Sequence, residues 1–140
     1  MKQIDRFDGE YAFLSNFYSA PVELDDEIIY PTSEHAFQAM KTTDLEERLE
    51  IAKLSTPGKS KRAGRKVKLR PDWEDIKNAV METVVRTKFQ QNPELVDKLK
   101  DTGDAELIEG NTWNDTYWGV CRGKGQNHLG QILMKVRADL

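Results

Sequence analysis

The sequence predicts a helix-rich α+β fold, with a few short antiparallel strands, in a single domain over residues 1–140. Two observations predict it. Apolar residues recur at helical spacing in the middle and at the end of the chain, whereas short alternating segments occur early and late. Strands around a helical middle favour α+β over a wound parallel sheet. A chain of 140 residues is long enough for one domain with its own core.

The first predicted elements are a hairpin and a helix. In residues 21–31, PVELDDEIIYP, Val22 and Leu24 alternate with polar residues, and the pair Asp25-Asp26 forms the turn. The segment YPTSEHAFQAMK, residues 30–41, follows as a helix, and Thr32 or Ser33 can cap its first turn.

Capping residues mark the next three helices. The residues TDLE beginning at Thr43 form a capping box that opens a helix to about Leu54. Thr56 and Pro57 supply an N-cap and a first-turn proline for the basic segment GKSKRAGRKVKLR. Asp72 is expected to cap the longest helix, residues 73–91, with an apolar stripe of Ile76, Val80 and Val84 and with Trp73 at its entry.

The last third of the chain is predicted to return to strands and end in a helix. Asn92 and Pro93 repeat the cap-and-proline pattern for a helix ending near Gly103. Residues 105–109 are expected to form a strand, and residues 110–126 a glycine-rich loop with a short strand. The final helix, residues 127–138, is expected to bury Leu129, Ile132, Leu133 and Val136.

Composition narrows the classes of function. The net charge of −3 disfavours a broad surface for nucleic acid or an anionic membrane. The single cysteine, Cys121, excludes an internal disulfide, and no Cys/His cluster has the spacing of zinc ligands. We therefore expect no metal and no cofactor. No apolar segment has the length of a signal peptide or a membrane span, so the expectation is a cytoplasmic protein with no membrane partner.

The segment 30–41 carries the most suggestive polar residues. Glu34, Gln38 and Lys41 are four and seven residues apart and therefore fall on one stripe of a helix. Periodicity alone favours a solvated stripe, worth about 0.2–0.5 kcal/mol as a Glu–Lys interaction. The neighbouring Tyr30 and Phe37 favour the alternative, a cleft in which a buried lysine beside a glutamate serves as base or nucleophile.

Two further segments can supply a ligand pocket. In LSNFY, residues 14–18, Asn16 can hold a turn or present its amide to a ligand beside Phe17. The segment 109–130 combines Asp115 and Trp118 with several glycines, a composition that suits a flat polar ligand. The alternative is that its tryptophans cover the core and Asp115 caps a turn. For a phosphate, the candidates are Arg65, Arg70 and the loop Arg122-Gly123-Lys124-Gly125.

These motifs together resemble the NADAR family, also called YbiA-like. The resemblance runs from about Phe13 to Arg137 and rests on the order and spacing of FLSNFY, YPTSEHAFQAMK, RPDWEDIKNAVM, KFQQNPEL, TGDAELIEGN, WGV and GKGQNHLGQILM. The family implies metal-free hydrolysis of N-glycosidic bonds. Two substrate classes are associated with it: ribosylamino-pyrimidine phosphates early in riboflavin biosynthesis, and ADP-ribose attached to guanine in nucleic acid.

The resemblance, taken together with the reading of the individual residues, predicts a set of site residues. Glu34 and Lys41 would be catalytic, with Asp115 next, through acid–base or Schiff-base chemistry. The residues expected to shape the substrate pocket are Asn16, Phe17, Gln38, Arg65, Trp73, Trp118, Gly119 and Asn127. Cys121 departs from the small or aliphatic residue frequent in the family after a WG pair. Two other classes of function stay open: a non-catalytic module that binds ADP-ribose or a nucleotide, and a plain interaction domain.

Overall fold

The computed structural model describes residues 2–140 and divides them into two compact units. The central unit comprises residues 16–92, and the terminal unit comprises the segment up to Ser15 together with Pro93–Leu140. In chain order the elements are β1 (Gln3–Ile4), a 3₁₀ helix (Gly9–Leu14), β2 (Val22–Glu23), β3 (Ile29–Tyr30), α1 (Ser33–Ala39), α2 (Leu45–Ala52), α3 (Pro57–Ala63), α4 (Trp73–Gln91), α5 (Pro93–Asp101), β4 (Glu106–Leu107), β5 (Gly110–Asn111), β6 (Val120–Cys121) and α6 (His128–Ala138).

The predicted helix-rich α+β character is confirmed across the described residues. The strands of residues 2–140 are short and occur in pairs, of which only β2–β3 is antiparallel, with Val22 opposite Tyr30. The expectation of antiparallel strands is wrong for the other two pairs, β1–β4 and β5–β6, which are parallel. A tight turn forces β2 and β3 to run in opposite directions, whereas long connections leave the direction of the other pairs free.

In the central unit, Asp26 holds the hairpin turn. One oxygen of its carboxylate accepts the backbone N–H of Ile28 at 3.0 Å, and the other accepts the hydroxyl of Tyr30 at 2.7 Å. The same carboxylate pairs with Arg48 of α2 at 3.4 Å. The hairpin is therefore fastened to the helix that packs against α1.

Helix α1 begins as the sequence predicts and is buried along its whole length. The hydroxyl of Thr32 accepts the backbone N–H of His35, an N-cap bond. All residues of Ser33–Ala39 are buried, because α2, α3 and α4 pack around the helix. A core cluster of Val22, Tyr30, Ala36, Ala39, Ile51 and Val84 joins it to the hairpin and α4.

The capping prediction for α3 is confirmed, whereas those for α2 and α4 are wrong in detail: the N-cap of α2 is Asp44 and not Thr43, the first residue of the expected capping box. Asp44 accepts backbone N–H groups of α2, and Thr56 accepts that of Lys59 in α3. Asp72 occupies the N-cap position of α4 but makes no capping bond. Its carboxylate instead binds the guanidinium of Arg70, at 2.7 Å, since that charged partner competes with the helix backbone.

The predicted apolar stripe of α4 is only partly correct. Val84 and Trp73 are buried, whereas Ile76 and Val80 are half-buried. The buried face of the helix is completed by Met81, Val85, Lys88 and Phe89. Met81, Val85 and Phe89 make this face broader than the predicted stripe, whereas the polar Lys88, four residues after Val84, continues the stripe itself.

In the terminal unit, α6 packs against β4. Its predicted core residues, Leu129, Ile132, Leu133 and Val136, are all buried, so this helix is confirmed. Within residues 2–140, no helix combines the length and hydropathy needed to span a membrane. That the two units fold as one domain stays a prediction.

Candidate active site

Glu34 and Gln38 form a buried pair in α1. Their side chains are 8% and 5% exposed, so the stripe is not a solvated face. The amide Nε2 of Gln38 donates to Oε2 of Glu34 at 2.6 Å, a short bond to a charged acceptor. The backbone N–H of Glu34 donates to the carbonyl of Asn16 at 3.0 Å, which fixes the start of the helix. Glu34 is therefore fixed by two hydrogen bonds, one from Gln38 to its carboxylate and one from its own backbone N–H to Asn16.

Lys41 lies just beyond the helix rather than within it. α1 ends at Ala39, with Met40 as its C-cap, so the expectation that Lys41 continues the helical stripe is wrong. The turn that replaces the last helical bonds is anchored by the backbone: the N–H of Lys41 donates to the carbonyl of Gln38, and its carbonyl accepts the N–H of Arg70 at 2.8 Å. The side chain nevertheless interacts electrostatically with Glu34.

The environment of Lys41 favours its neutral form. Burial lowers the pKa of the Lys41 amine below its usual value. The negative charge of Glu34 acts in the opposite direction, and the positive charges of Arg65, Lys61 and Lys77 lower the pKa further. A larger fraction of neutral amine at neutral pH is what a lysine nucleophile requires.

The three cations around Lys41 come from two helices and the turn after one of them. Lys61 is in α3, Arg65 follows its C-cap, and Lys77 is in α4. Lys77 also bonds Glu74 at 2.8 Å, so part of its charge is compensated. Arg65 is exposed and Lys61 half-buried, which leaves both able to meet a ligand anion. The expected phosphate-binding role of Arg65 fits this position.

The structure places the other central-unit candidates in different surroundings. The side-chain oxygen of Asn16 accepts the hydroxyl of Ser33 at 2.9 Å, so this residue anchors the start of α1. Trp73 is buried, and its ring centroid lies 5.1 Å from that of Phe37. Phe17 is 47% exposed, so its ring is accessible for stacking. Of the three, only Phe17 presents a large accessible surface.

The terminal-unit candidates hold their own loop. Oδ1 of Asp115 accepts the backbone N–H groups of Tyr117 and Trp118, at 3.2 and 2.9 Å, as a turn-capping aspartate does. The ring of Trp118 packs edge-on against Tyr117 with centroids 4.9 Å apart. Asp115 therefore caps a turn, one of the two roles that the sequence left open. Its catalytic role stays a prediction.

Asn127 and Gly119 complete the same loop. Asn127 adopts a left-handed backbone, with φ of 55°. Its side chain accepts the N–H of Glu109 at 3.0 Å and donates to the carbonyl of Leu107 at 2.9 Å. A Cβ at Gly119 would overlap the carbonyl oxygen of Glu109, so only glycine fits there. These contacts make both residues parts of the loop's framework.

The terminal unit also contains a cleft of about 670 Å³ that sequence reasoning did not locate. Its walls include Arg6, Phe7, Glu109, Trp113 and Arg122. Trp113 is 58% exposed there. Arg122 and Gly123, part of the loop that the sequence suggests for phosphate binding, line this cleft, whereas Asp115, Trp118 and Asn127 do not.

Sequence reasoning also missed Lys88. Its side chain is 1% exposed, and burial lowers its pKa to about 7. The ammonium nitrogen lies 5.8 Å from the ring centroid of Tyr18 and 5.6 Å from that of Phe89. The sequence contains one signal for it: Lys88 lies four residues after Val84 and therefore falls on the predicted apolar stripe of α4. Among residues 2–140, no group of three or more His, Cys, Asp and Glu side chains could hold a metal ion.

The fold and the sequence match a known class of protein. A family model of the NADAR domain matches residues 4–140, so the chain belongs to the NADAR domain family.

The chain is 43% identical over 134 residues to the N-glycosidase YbiA of Escherichia coli. The matched region covers 94% of this chain and 82% of that protein. It is 38% identical over 136 residues to the riboflavin biosynthesis protein VVA0006 of Vibrio vulnificus, covering 95% of this chain and 36% of that protein. The NMR structure of E. coli YbiA matches with a TM-score of 0.85 and 40% identity, over 99% of this chain and 86% of that one.

Proposed function

We propose that this protein is an N-glycosidase that hydrolyses the bond between C1 of a phosphorylated ribose and a base nitrogen. The single observation that carries the proposal is the buried carboxylate of Glu34 beside the Lys41 amine, whose pKa burial lowers. The name of the E. coli relative, an N-glycosidase, supports the same reaction class. A site for binding alone has little use for a buried carboxylate next to an amine.

Glu34 serves the acid–base route. Cleavage of the C1–N bond requires stabilisation of the cationic sugar carbon and a water molecule that attacks it. The carboxylate of Glu34, fixed by the 2.6 Å bond from Gln38, can take a proton from that water and offset the positive charge at C1. The departing nitrogen takes up a proton, and ribose phosphate is released.

Lys41 offers a second route for a substrate that can ring-open. A ribosylamine in its open form has a C1=N bond, and the neutral amine of Lys41 adds to C1. The base amine leaves, and a new C1=N bond joins C1 to Lys41. Water then adds to C1, which releases the sugar as an aldehyde and restores the amine. Glu34 is placed to carry the protons, because its charge acts directly on Lys41.

The charges around the amine point to a phosphorylated substrate. Lys61, Arg65 and Lys77 surround Lys41, so the site holds more positive than negative side chains. A phosphate dianion is the ligand that such a cluster attracts. A ribosylamino-pyrimidine phosphate needs only one such site, and the name of the V. vulnificus relative, a riboflavin biosynthesis protein, favours this substrate class. ADP-ribose on guanine is the second candidate.

The test offers both substrates in parallel to the metal-free protein. Ribosylamino-pyrimidine phosphate and an oligonucleotide bearing ADP-ribosylated guanine are incubated separately, and release of ribose phosphate or ADP-ribose is followed by mass spectrometry. Glu34→Gln and Lys41→Met should reduce the rate about 10²-fold or more. The exposed Glu46→Gln and Lys53→Met serve as matched controls and should keep the wild-type rate.

Two outcomes would overturn parts of the proposal. Saturable binding of both compounds without product would make the protein a binder rather than a glycosidase. Product formation unaffected by both active-site variants would exclude the Glu34–Lys41 mechanism. Reduction with borohydride during turnover separates the two routes, since only the Schiff base leaves a sugar covalently attached to Lys41.

A further inference from the structure

Gln38 is built into α1 in a way that contact with substrate does not explain. Its side chain is only 5% exposed. Its Nε2 donates to Glu34, whereas its Oε1 is buried and has no hydrogen-bond partner among residues 2–140. A buried acceptor without a partner is destabilising. The amide is therefore oriented so that Glu34 gains a hydrogen bond while Oε1 of Gln38 has none.

The orientation of the amide follows from its partner. Turning the amide by half a rotation would place Oε1 against the carboxylate oxygen of Glu34, 2.6 Å away, and two acceptors at that distance repel. Nε2 therefore faces Glu34, and Oε1 must face the opposite side. On that side lies Gly64.

Gly64 provides the room that this orientation needs. It is the C-cap of α3, with φ of −59° and ψ of −22°, a conformation that any residue adopts. Backbone freedom is therefore not the reason for a glycine. A Cβ at this position would overlap Oε1 of Gln38 and lie 2.8 Å from its Cδ. Any side chain at residue 64 would push the amide out of place.

We propose that Gly64 and Gln38 are positioning residues that hold the carboxylate of Glu34: Gly64 leaves the space in which the Gln38 amide donates to Glu34. The basic segment after Thr56 thus contributes both positive charges and, at Gly64, the space that the Gln38 amide occupies. The geometric part of the proposal stands on contacts alone. Its catalytic consequence rests on the proposed glycosidase function.

The test is a double-mutant cycle between residues 38 and 64. Gly64→Ala in the wild-type background should reduce kcat about tenfold to a hundredfold, the change expected for loss of one hydrogen bond to a charged group, with KM little changed. Gln38→Ala should cause a similar loss. Once the amide is absent, the added methyl of Gly64→Ala meets only Cβ of residue 38, at 3.2 Å, a contact that a shift of a few tenths of an ångström relieves. The double variant should therefore be little slower than Gln38→Ala alone.

Two more variants isolate the cause. Gln38→Met keeps the length of the side chain and removes the donor, so kcat should fall and the acid limb of the pH profile should move to higher pH, because the carboxylate loses a stabilising N–H. Gly58→Ala is the matched glycine control in the same helix. Its added Cβ would meet only Oγ1 of Thr56 at 3.9 Å, so kcat should not change. Denaturation midpoints confirm that each variant is folded.

A readout without turnover separates this proposal from the glycosidase function. The ¹³C titration of the Glu34 carboxyl, assigned by comparison with Glu34→Gln, should shift its midpoint upward in Gln38→Met and Gly64→Ala but not in Gly58→Ala. This shift in a protein that cleaves no substrate would support the positioning and refute the function. An unchanged titration, or a cycle in which Gly64→Ala costs as much without the Gln38 amide as with it, would overturn the positioning.

Discussion

Replacing Asp26 by alanine should destabilise the central unit strongly, although the residue lies in a hairpin turn. The side chain is 5% exposed and serves three partners: the Ile28 N–H, the Tyr30 hydroxyl and the Arg48 guanidinium. Tyr30 is 0% exposed, so its hydroxyl cannot turn to water when the carboxylate is removed. The substitution therefore leaves buried polar groups unsatisfied rather than merely deleting a surface charge.

The magnitude follows from these contacts. An unsatisfied buried hydroxyl costs about 1–3 kcal/mol, and the lost backbone bond adds about 1 kcal/mol. Arg48 is 13% exposed and keeps its bond to the carbonyl of Thr42 at 2.8 Å, so its unpaired charge adds about 1 kcal/mol. The expected loss is about 3–5 kcal/mol, a large part of the free energy of unfolding of a domain of this size.

Urea denaturation followed by tryptophan fluorescence measures this loss from the shift in midpoint at constant m. Asp25→Ala, an exposed residue of the same turn, is the control and should change the free energy of unfolding by less than about 0.5 kcal/mol. Tyr30→Phe removes one of the three partners and should cost about 1 kcal/mol. A loss below about 1 kcal/mol for Asp26→Ala would refute the reasoning, because Tyr30 alone should cost that much.

Three further predictions concern pH and packing. Burial lowers the pKa of His35, so the unfolded chain takes up a proton first as pH falls through about 6.5, and stability should drop there in the wild type but less in His35→Gln. Burial, with a contribution from Asp26, raises the pKa of Tyr30, so the unfolded chain ionises first and stability should fall as pH rises above about 10, a loss absent in Tyr30→Phe. Chemical denaturation across pH checks both, and stability independent of pH in either range would contradict that prediction. Leu133→Ala should cost about 2–5 kcal/mol in urea denaturation, because this side chain is 0% exposed. The exposed Leu140→Ala is its control, and equal effects of the two would mean that α6 is not docked as described.

Local chemistry explains the elements that the sequence predicts well. Capping by Thr32 and Thr56 depends on a side chain and a backbone N–H a few residues away, so the starts of α1 and α3 can be read from short segments. The burial of α6 follows from apolar residues at helical spacing. Asp72 shows the limit of such reasoning. Its carboxylate binds the guanidinium of Arg70 and not the backbone N–H groups at the start of α4.

For the candidate site, too, some features can be predicted from the sequence and others depend on the tertiary structure. The sequence alone identified Glu34 and Lys41 as an acid and an amine close enough to interact, because they are neighbours along the chain. Only the tertiary structure decided that Glu34 is buried and Lys41 half-buried, since α2, α3 and α4 pack around α1. It also decided that Gln38 serves Glu34 and that Gly64 makes room for it. Those two residues are 26 positions apart, and no local pattern records a space left empty for a distant side chain.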